Sequence, residues 1–366
     1  MFLKKDFIIL FLAFTLIPAC LYSQQLKPGF DKAEYRNMLL IATRTSANPD
    51  FYKNFPLPSG FTKIYESPVM GLDNLWDLWI SDQHVAVIST RGTTRKLESW
   101  LANFYAAMVP AKGELLLSVK DTFRYELASN PRAAVHVGWL LCMAYLSRDM
   151  LPRIDSLYKT GTKEFILTGH SQGGAITYLL TAYLLNLQKQ KLLPSDIRIK
   201  SYCGAAPKPG NLYFAYEYET MTRGGWAFNV VNTADWVPET PVSIQTMNDY
   251  NTLNPFVNAR KEISKMKFPK NVVLRHVFNS MDKPTKKARK NFQKFLGNKA
   301  SGFVKKFLPG FIPPEYYPSN DYVRTGTTIL LVADEEYFKI FPGDNKTVFA
   351  HHFPKPYLYL LDHYNP

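Results

Sequence analysis

The apolar residues of this chain fall into two kinds of run, short ones typical of β-strands and long ones typical of α-helices. Short apolar runs occupy residues 164–168, 197–202, 226–232 and 327–332, and polar or glycine-containing residues follow each of them. A long apolar run at 174–185 is rich in helix-forming residues. Strands that alternate with helices predict an α/β fold in which a mostly parallel central sheet carries helices on both faces.

The first part of the chain predicts a helix and then a hairpin. Asp31 is a helix-capping residue, Glu34 follows three positions later, and apolar residues then recur at helical spacing. Residues 75–80 and 84–89 are strand-like, and Ser-Asp-Gln between them is a turn sequence. We expect the helix to pack on the core and the two strands to pair.

Between the strand at 164–168 and the helix at 174–185 lies the motif Gly-His-Ser-Gln-Gly. Its serine is Ser171, and Gly169 and Gly173 flank it. A strand, a sharp turn with small flanking residues and a helix are the context of a serine nucleophile, whose hydroxyl then lies at the helix N-terminus. The alternative is a purely structural turn, because the five-residue pattern alone has low specificity.

Residues 1–23 resemble an export signal. A positive start is followed by an apolar stretch at 7–17, which is short for a membrane span. Three outcomes are compatible with this segment: cleavage after Ser23, lipidation of Cys20, or an uncleaved membrane anchor. We therefore expect an exported protein, either secreted, periplasmic or lipid-anchored at the cell surface, whose residues 24–366 form one domain.

Only Cys142 and Cys203 remain after this segment. Two cysteines make neither a disulfide framework nor a zinc site, and whether these two pair is left open. No histidine and acid cluster has the spacing of metal ligands, and no glycine-rich phosphate loop is present. We expect no required cofactor or metal.

The formal net charge of +14 is concentrated in one stretch. Residues 260–306 contain fifteen Lys or Arg and two acids, and from Ala288 to Phe307 apolar residues recur mostly at three- and four-residue steps. Gly297 and Gly302 interrupt this pattern, which therefore predicts two helices. A basic amphipathic stretch suits an anionic membrane or lipid surface, and the alternative is a packed cap helix with a solvated basic face. Nucleic acid is not expected as a partner, because no base-reading motif accompanies the charge.

Three further motifs point to a known family. The strand at 84–89 leads into Arg91-Gly92-Thr93, residues 203–211 read Cys-Gly-Ala-Ala-Pro-Lys-Pro-Gly-Asn, and the strand at 226–232 ends in Asn-Thr-Ala-Asp-Trp-Val-Pro with Asp235 as its acid. Together with the serine motif, these resemble the class 3 (fungal-type) lipase family of the α/β-hydrolase superfamily. The second motif departs from the family pattern at Ala205, where a glycine is usual.

The resemblance implies an α/β-hydrolase fold and a set of roles. Thr93 would bind the oxyanion with its backbone N–H and its hydroxyl, and Gln172, the residue after the serine, would provide the second backbone N–H. Asp235 would be the acid of a catalytic triad. An insertion at about 242–320, which holds the basic stretch, separates this acid from the C-terminal part of the family pattern.

The histidine of that triad is the least determined residue. The family tail has a tyrosine five residues after the histidine, and His352 fits this spacing with Tyr357. His351 misses it by one, and His363 is the alternate because it follows an aspartate. His136 precedes the serine in the chain and is interpreted as structural.

Residues 100–110 directly follow the oxyanion motif and are apolar and aromatic. Lipases of this family carry a mobile lid at this place, and a lid must be amphipathic. A core helix is the alternative interpretation.

Together, these motifs predict a serine hydrolase that cleaves carboxylic esters of lipids through Ser171, Asp235 and His352, with an acyl-enzyme intermediate. One alternative keeps the triad in a phospholipase, a short-chain esterase or an acyltransferase. The other is a surface-anchored binding protein without catalytic activity on the same scaffold.

Overall fold

The computed structural model describes residues 25–46 and 48–365. The predicted export segment at 1–23, with Cys20, lies outside the described residues. The strands are, in chain order, β1 (Phe61–Glu66), β2 (Trp76–Ser81), β3 (Ala86–Thr90), β4 (Met108–Pro110), β5 (Lys112–Ser118), β6 (Asp121–Glu126), β7 (Ala134–His136), β8 (Glu164–His170), β9 (Arg198–Gly204), β10 (Gly210–Asn211), β11 (Ala227–Asn232), β12 (Tyr322–Val323) and β13 (Thr327–Leu331).

The α-helices lie mostly between these strands. In chain order they are α1 (Lys32–Arg44), α2 (Pro49–Tyr52), α3 (Leu97–Phe104), α4 (Val137–Lys159), α5 (Gln172–Lys189), α6 (Leu212–Met221), α7 (Ala259–Lys265), α8 (Lys270–Gln293), α9 (Ala300–Phe307), α10 (Glu335–Ile340) and α11 (Pro354–His363). A short 3-10 helix follows β11, and a π-helical segment, Lys294–Lys299, joins α8 to α9.

A seven-stranded sheet in the order β1-β2-β3-β8-β9-β11-β13 is the centre of the fold. The five strands from β3 to β13 are parallel to one another, whereas β2 runs antiparallel to both of its neighbours. A smaller antiparallel sheet, β12-β10-β7-β4, and the β5-β6 hairpin complete the described strands. The predicted α/β architecture with a mostly parallel central sheet is confirmed.

Helices cover both faces of this sheet because its central strands are apolar on both sides. Along β8, Phe165 and Leu167 pack into a core with α4 and α5, whereas Ile166 packs into a second core with α1 and α11. The elements that carry the predicted site residues are thereby held from two sides.

The predicted helix and hairpin at the start of the chain are confirmed. Asp31 caps α1, and its side chain accepts a hydrogen bond of 2.8 Å from the backbone N–H of Glu34. The strands β2 and β3 pair antiparallel, as the sequence predicts. Within the described residues, no helix has both the length and the apolar character that crossing a bilayer requires.

The basic insertion leaves and rejoins the body at neighbouring points. The N–H of Ile244 donates a hydrogen bond of 2.9 Å to the carbonyl of Asn320, so the two ends of the excursion are joined. Of the two predicted interruptions only the one at Gly297 is found, because the π-helical segment that contains Gly297 separates α8 from α9, whereas Gly302 lies inside α9. The wider turn of this segment absorbs the irregularity, and the helical run continues through residues 270–307.

The C-terminal part of this run is part of the core. Ala300 and Val304 are buried with the residues of α4 and α5, and the carbonyl of Leu296 accepts a 3.0 Å hydrogen bond from the N–H of Ala107. A side chain at Gly297 would collide with Ala107 and Tyr316, so close packing requires the glycine.

Candidate active site

Ser171 lies in the turn between β8 and α5, in a conformation that few residues adopt. Its backbone has φ 62° and ψ −130°, and its N–H donates a 2.9 Å hydrogen bond to the carbonyl of Gly204. Positive φ is costly for a residue with a Cβ atom and persists only where the surroundings impose it. The turn places this serine at the N-terminus of α5, where backbone N–H groups have no intrahelical acceptor.

The glycines on either side of the serine are required by close backbone contacts. A Cβ atom on Gly169 would overlap the carbonyl group of Gly173, and one on Gly173 would overlap the carbonyl oxygen of Thr90. The Thr90 hydroxyl also donates a 2.7 Å hydrogen bond to the Gly173 carbonyl. The end of β3 is thus pressed against the first turn of α5.

Asp235 follows β11 and is buried, and its two carboxyl oxygens have three hydrogen-bond partners. One oxygen, Oδ1, accepts a 3.0 Å bond from the N–H of Val237. The other, Oδ2, lies 2.8 Å from the hydroxyl of Tyr357 and 2.7 Å from Nδ1 of His352. A carboxylate with three donors is held in one orientation and can in turn hold an imidazole.

His352 lies just before α11, with one ring nitrogen taken by this carboxylate. With Nδ1 donating to Asp235, Nε2 is the nitrogen that remains for proton transfer. The carbonyl of His352 accepts a 2.7 Å hydrogen bond from Nε2 of His170, the residue next to Ser171, and the two imidazole centres are 5.1 Å apart. The histidine loop is therefore tied directly to the serine turn.

His170 acts as a neutral donor in this contact. Burial, followed by the neighbouring His352, lowers the pKa of its imidazole to about 3, so the ring carries no charge at neutral pH. The sequence analysis assigned His170 no role. Its position inside the serine motif was the only available signal.

The neighbouring His351 has a structural role. Its Nδ1 lies 2.8 Å from the hydroxyl of Tyr337, and its carbonyl accepts a 2.9 Å bond from the side chain of Asn232. The same amide of Asn232 also donates to the Tyr337 hydroxyl. Asn232, at the end of β11, therefore fixes the loop that precedes His352.

The structure does not bring the alternate histidine to the acid. His363 is exposed at the end of α11, where its Nδ1 lies 2.8 Å from the carbonyl of Tyr359. His136 is completely buried, stacks on Trp139 with ring centres 3.6 Å apart, and caps α4. Burial lowers the pKa of His136 to about 3, which fits the structural role expected from the sequence.

The two residues predicted for the oxyanion hole contact each other. The Thr93 hydroxyl donates a 3.0 Å hydrogen bond to Oε1 of Gln172. Gly92 brings this loop against the serine turn, because a Cβ atom placed on it would lie 3.7 Å from Cβ of Ser171. The Thr93 hydroxyl is occupied by Gln172, so the predicted oxyanion role would fall to the backbone N–H groups of these two residues.

A further residue, Asn103 on α3, extends this contact into a chain. Its side-chain amide donates a 2.9 Å hydrogen bond to the Thr93 hydroxyl, and its Oδ1 accepts a 2.9 Å bond from the indole of Trp139. Asn103 thereby fixes the direction in which Thr93 donates. Asn103 is not identifiable from the sequence, because no local pattern distinguishes it from other polar residues on an amphipathic helix.

Asp73 holds the loop that contains Thr93. Its buried carboxylate forms ion pairs with Arg91 at 3.2 Å and Lys96 at 2.8 Å, and it accepts a 2.6 Å hydrogen bond from Thr94. Burial alone would raise the pKa of Asp73, but the bonds from Lys96 and Thr94 and the charge of Arg91 lower it below its usual value. The carboxylate stays ionised and holds both sides of Thr93.

The stretch predicted as a lid or a core helix, residues 100–110, contains the second half of α3 and β4. Leu101 and Ala102 of α3 are buried, whereas Phe104 is exposed, so the helix is amphipathic. Trp100 lies 6.1 Å from Phe104 and 6.2 Å from Phe349, measured between ring centres, and Phe349 lies 5.9 Å from the ring of His352. An aromatic row thus connects α3 to the histidine loop.

Two sequence predictions concern cysteine pairing and metal binding. Cys142 and Cys203 are both free and buried. Within residues 25–46 and 48–365, no group of three or more His, Cys, Asp or Glu side chains could hold a metal ion.

The candidate site offers a serine, a carboxylate-bound imidazole and backbone donors, which are the groups that acyl transfer needs.

One known protein family matches the part of the chain that contains most of the candidate site. Residues 87–244 match the family model described as Lipase (class 3), which confirms the resemblance to class 3 lipases over this stretch. The match runs from β3 to the start of the basic insertion and includes Thr93, Ser171 and Asp235. His352 lies beyond it, so its assignment depends on the geometry above. No curated protein matches the chain.

Several solved fungal lipases resemble the structure at low identity. A Rhizomucor miehei lipase propeptide complex is 19% identical over 59% of this chain and 65% of that chain, with a TM-score of 0.41. The Rhizomucor miehei triacylglyceride lipase is 19% identical over 59% of this chain and 77% of that one, with a TM-score of 0.44. Lipase II from Rhizopus niveus is 21% identical over 58% and 77%, with a TM-score of 0.41.

Proposed function

We propose that this protein is an exported serine hydrolase that cleaves carboxylic esters of lipids. Ser171 is the nucleophile, His352 the general base and acid, and Asp235 the acid that orients the imidazole. Thr93 and Gln172 provide the oxyanion hole. The observation that carries this proposal is the 2.7 Å bond between His352 and Asp235, in a loop joined to the strained serine turn through His170.

In the first half of the reaction, Oγ of Ser171 attacks the ester carbonyl carbon while Nε2 of His352 takes the serine proton. The carbonyl oxygen becomes an oxyanion, to which the N–H groups of Thr93 and Gln172 donate. The tetrahedral intermediate then expels the alcohol, which leaves with the proton from His352.

In the second half, water attacks the acyl-enzyme and gives one proton to His352. The fatty acid leaves, and the proton returns to Ser171. Asp235 keeps its hydrogen bond to Nδ1 of His352 and stabilises the imidazolium that forms in each half. Tyr357 and Val237 support this by donating to the same carboxylate.

Labelling with a fluorophosphonate tests the nucleophile. We expect one adduct, on Ser171, in the folded protein and none in the Ser171→Ala variant. Absence of an adduct in the folded wild type would favour a non-catalytic binding protein on this scaffold.

The substrate class needs a separate experiment. Hydrolysis rates for a chain-length series of p-nitrophenyl esters, compared with those for triacylglycerol emulsions and phospholipid vesicles, distinguish a lipase from a short-chain esterase or a phospholipase. Added alcohol acceptors reveal acyltransferase activity. We expect the long-chain emulsified ester to be preferred.

We also propose that the export segment at 1–23 is functional and that the basic insertion contacts an anionic membrane or lipid surface. The concentration of positive charge in residues 260–306 supports the second point. Export is tested by expressing the full chain in a bacterial host, fractionating the cells and sequencing the mature N-terminus. Retention in the cytoplasm with residues 1–23 intact would contradict it.

A further inference from the structure

One half of the long helix in the basic insertion extends beyond the body. From residue 266 to residue 281 no side chain is buried, whereas the run from Gly297 to Val304 contains four buried residues. At 1.5 Å per residue, the overhanging part of α8 is about 20 Å long. We call residues 259–283, which comprise α7, its turn and this part of α8, the arm.

The arm has internal contacts that fix its two helices against each other. Arg260 of α7 donates hydrogen bonds of 2.7 Å to the side chains of Asn279 and Asp282 on α8, and its guanidinium lies 5.2 Å from the ring centre of Phe278. Lys286 pairs with the same Asp282 at 2.9 Å. These contacts use one face of α8 and leave another face free.

The free face continues the apolar stripe that packs on the body further along the helix. Ala288 and Phe292 belong to this stripe, and Phe292 packs against Tyr322 with ring centres 6.5 Å apart. At helical spacing before them come Val277 and Met281, which are exposed, as is Val273 one turn earlier. On the arm, the stripe therefore has no partner from this chain among the described residues.

The turn at the end of the arm is also apolar. Phe268 is 82% exposed and Met266 is 41% exposed, although turns between helices at a protein surface are normally polar. Lys265, Lys267 and Lys270 are close neighbours of these two residues in the chain. An exposed apolar patch of this kind marks an interaction site.

The charge of the arm identifies the partner. Its 25 residues include seven Lys or Arg and two acids, and both acids are paired with cations of the insertion. Exposed apolar side chains in a turn that is rich in lysine match an anionic bilayer, in which acyl chains accommodate the apolar side chains and phosphates attract the lysines. We propose that the arm is a docking element for anionic phospholipid bilayers, with Phe268 and Met266 entering the interface.

This inference deepens the lipid-surface contact proposed above and rests on it, but it does not depend on catalysis. Sedimentation with sucrose-loaded vesicles tests it, using full-length protein and vesicles of phosphatidylcholine alone or with phosphatidylglycerol in equal parts. We expect the wild type to bind the anionic vesicles and to bind the neutral ones far more weakly.

Two sets of variants separate the apolar and ionic contributions. The double variant Met266→Ser/Phe268→Ser should bind anionic vesicles about tenfold or more weakly, because two exposed apolar side chains no longer enter the interface. The triple variant Lys265→Gln/Lys267→Gln/Lys270→Gln should lose about fivefold for each charge removed. The matched control Val119→Ser, at a turn residue that is 84% exposed outside the arm, should bind like the wild type.

Each outcome decides between alternatives. Equal vesicle binding by the wild type and the double variant, or no binding by the wild type, would overturn the inference. A wild-type dimer that the double variant converts to monomer in analytical ultracentrifugation would instead assign the face to a second copy of the chain. Hydrolysis of soluble p-nitrophenyl butyrate should be unchanged in all arm variants. If the wild type lacks that activity but binds vesicles, the proposed hydrolase fails and the docking element stands.

Discussion

Replacing Asp235 by asparagine isolates the contribution of the acid with almost no change in shape. In the structure, Oδ1 accepts from the N–H of Val237, and Oδ2 accepts from Tyr357 and His352. Asparagine has one oxygen and one amide group for these two positions. Either choice places a donor where an acceptor is needed.

If the amide group takes the Oδ2 position, it donates to Nδ1 of His352. The imidazole proton then moves to Nε2, and the ring can no longer accept the proton of Ser171. If the amide group takes the Oδ1 position, it meets the N–H of Val237 in a buried site, and two donors face each other. The first arrangement disables catalysis, and the second destabilises the loop.

We therefore expect Asp235→Asn to lower kcat about 10⁴-fold, equivalent to about 5.5 kcal/mol of transition-state stabilisation, with a much smaller change in KM. The assay is hydrolysis of p-nitrophenyl butyrate between pH values of about 5 and 9, with circular dichroism to verify folding. Asp362→Asn is the matched control, because Asp362 is an exposed acid next to His363 and pairs with Arg36. It should change kcat less than about twofold.

A loss of less than about tenfold in a folded Asp235→Asn protein would refute the assignment of the acid. A large loss in the Asp362→Asn control would instead indicate that His363 is the working histidine. The two variants together therefore test the residue assignment that the sequence determined least.

Three other predictions concern the fold and the site. Burial raises the pKa of Asp77 from 3.8 to about 7, so the free energy of unfolding should fall by about 4 kcal/mol as the pH rises through this interval. In urea titrations at a series of pH values, Asp77→Asn should lack this part of the pH dependence, and an equal dependence of stability on pH in both proteins would contradict the prediction. Gly173→Ala forces a Cβ atom into a carbonyl oxygen and should cost about 3 kcal/mol or more; Gly302→Ala, with no atom within 4 Å, should not destabilise, and thermal melts compare the two. Tyr357→Phe removes a donor to Asp235 and should lower kcat about ten- to hundredfold with KM unchanged, whereas full activity would make that hydrogen bond dispensable.

Much of the fold follows from local sequence patterns. The capped helix α1, the β2–β3 hairpin and the strand-turn-helix around Ser171 each depend on residues close together in the chain, so periodicity and turn chemistry suffice to find them. The left-handed conformation of Ala205, at φ 50°, also explains why a glycine is usual at that position of the family motif.

The contacts that organise the site are long-range and leave little trace in the sequence. Asn103 bonds to Thr93 across a gap of 10 residues, and any polar residue on α3 would have looked equally plausible. Tyr357 is marked in the sequence by its spacing from His352, but its hydrogen bond to Asp235 spans 122 residues and no local pattern predicts it. The apolar stripe of α8 has the same period in both of its halves. Periodicity alone therefore could not tell that Phe292 packs on the body and that Val277 does not.

The joined ends of the basic insertion bear on how such a protein can vary. Because Ile244 and Asn320 already lie side by side, lengthening or shortening the excursion between them need not alter the spacing of the sheet strands. The entropic cost of a longer excursion grows only slowly with its length. The segment from Phe292 to Phe311 packs against the body of the protein, whereas the arm lies outside it. The arm is therefore free to diverge in length and composition while the sheet and the candidate site stay the same.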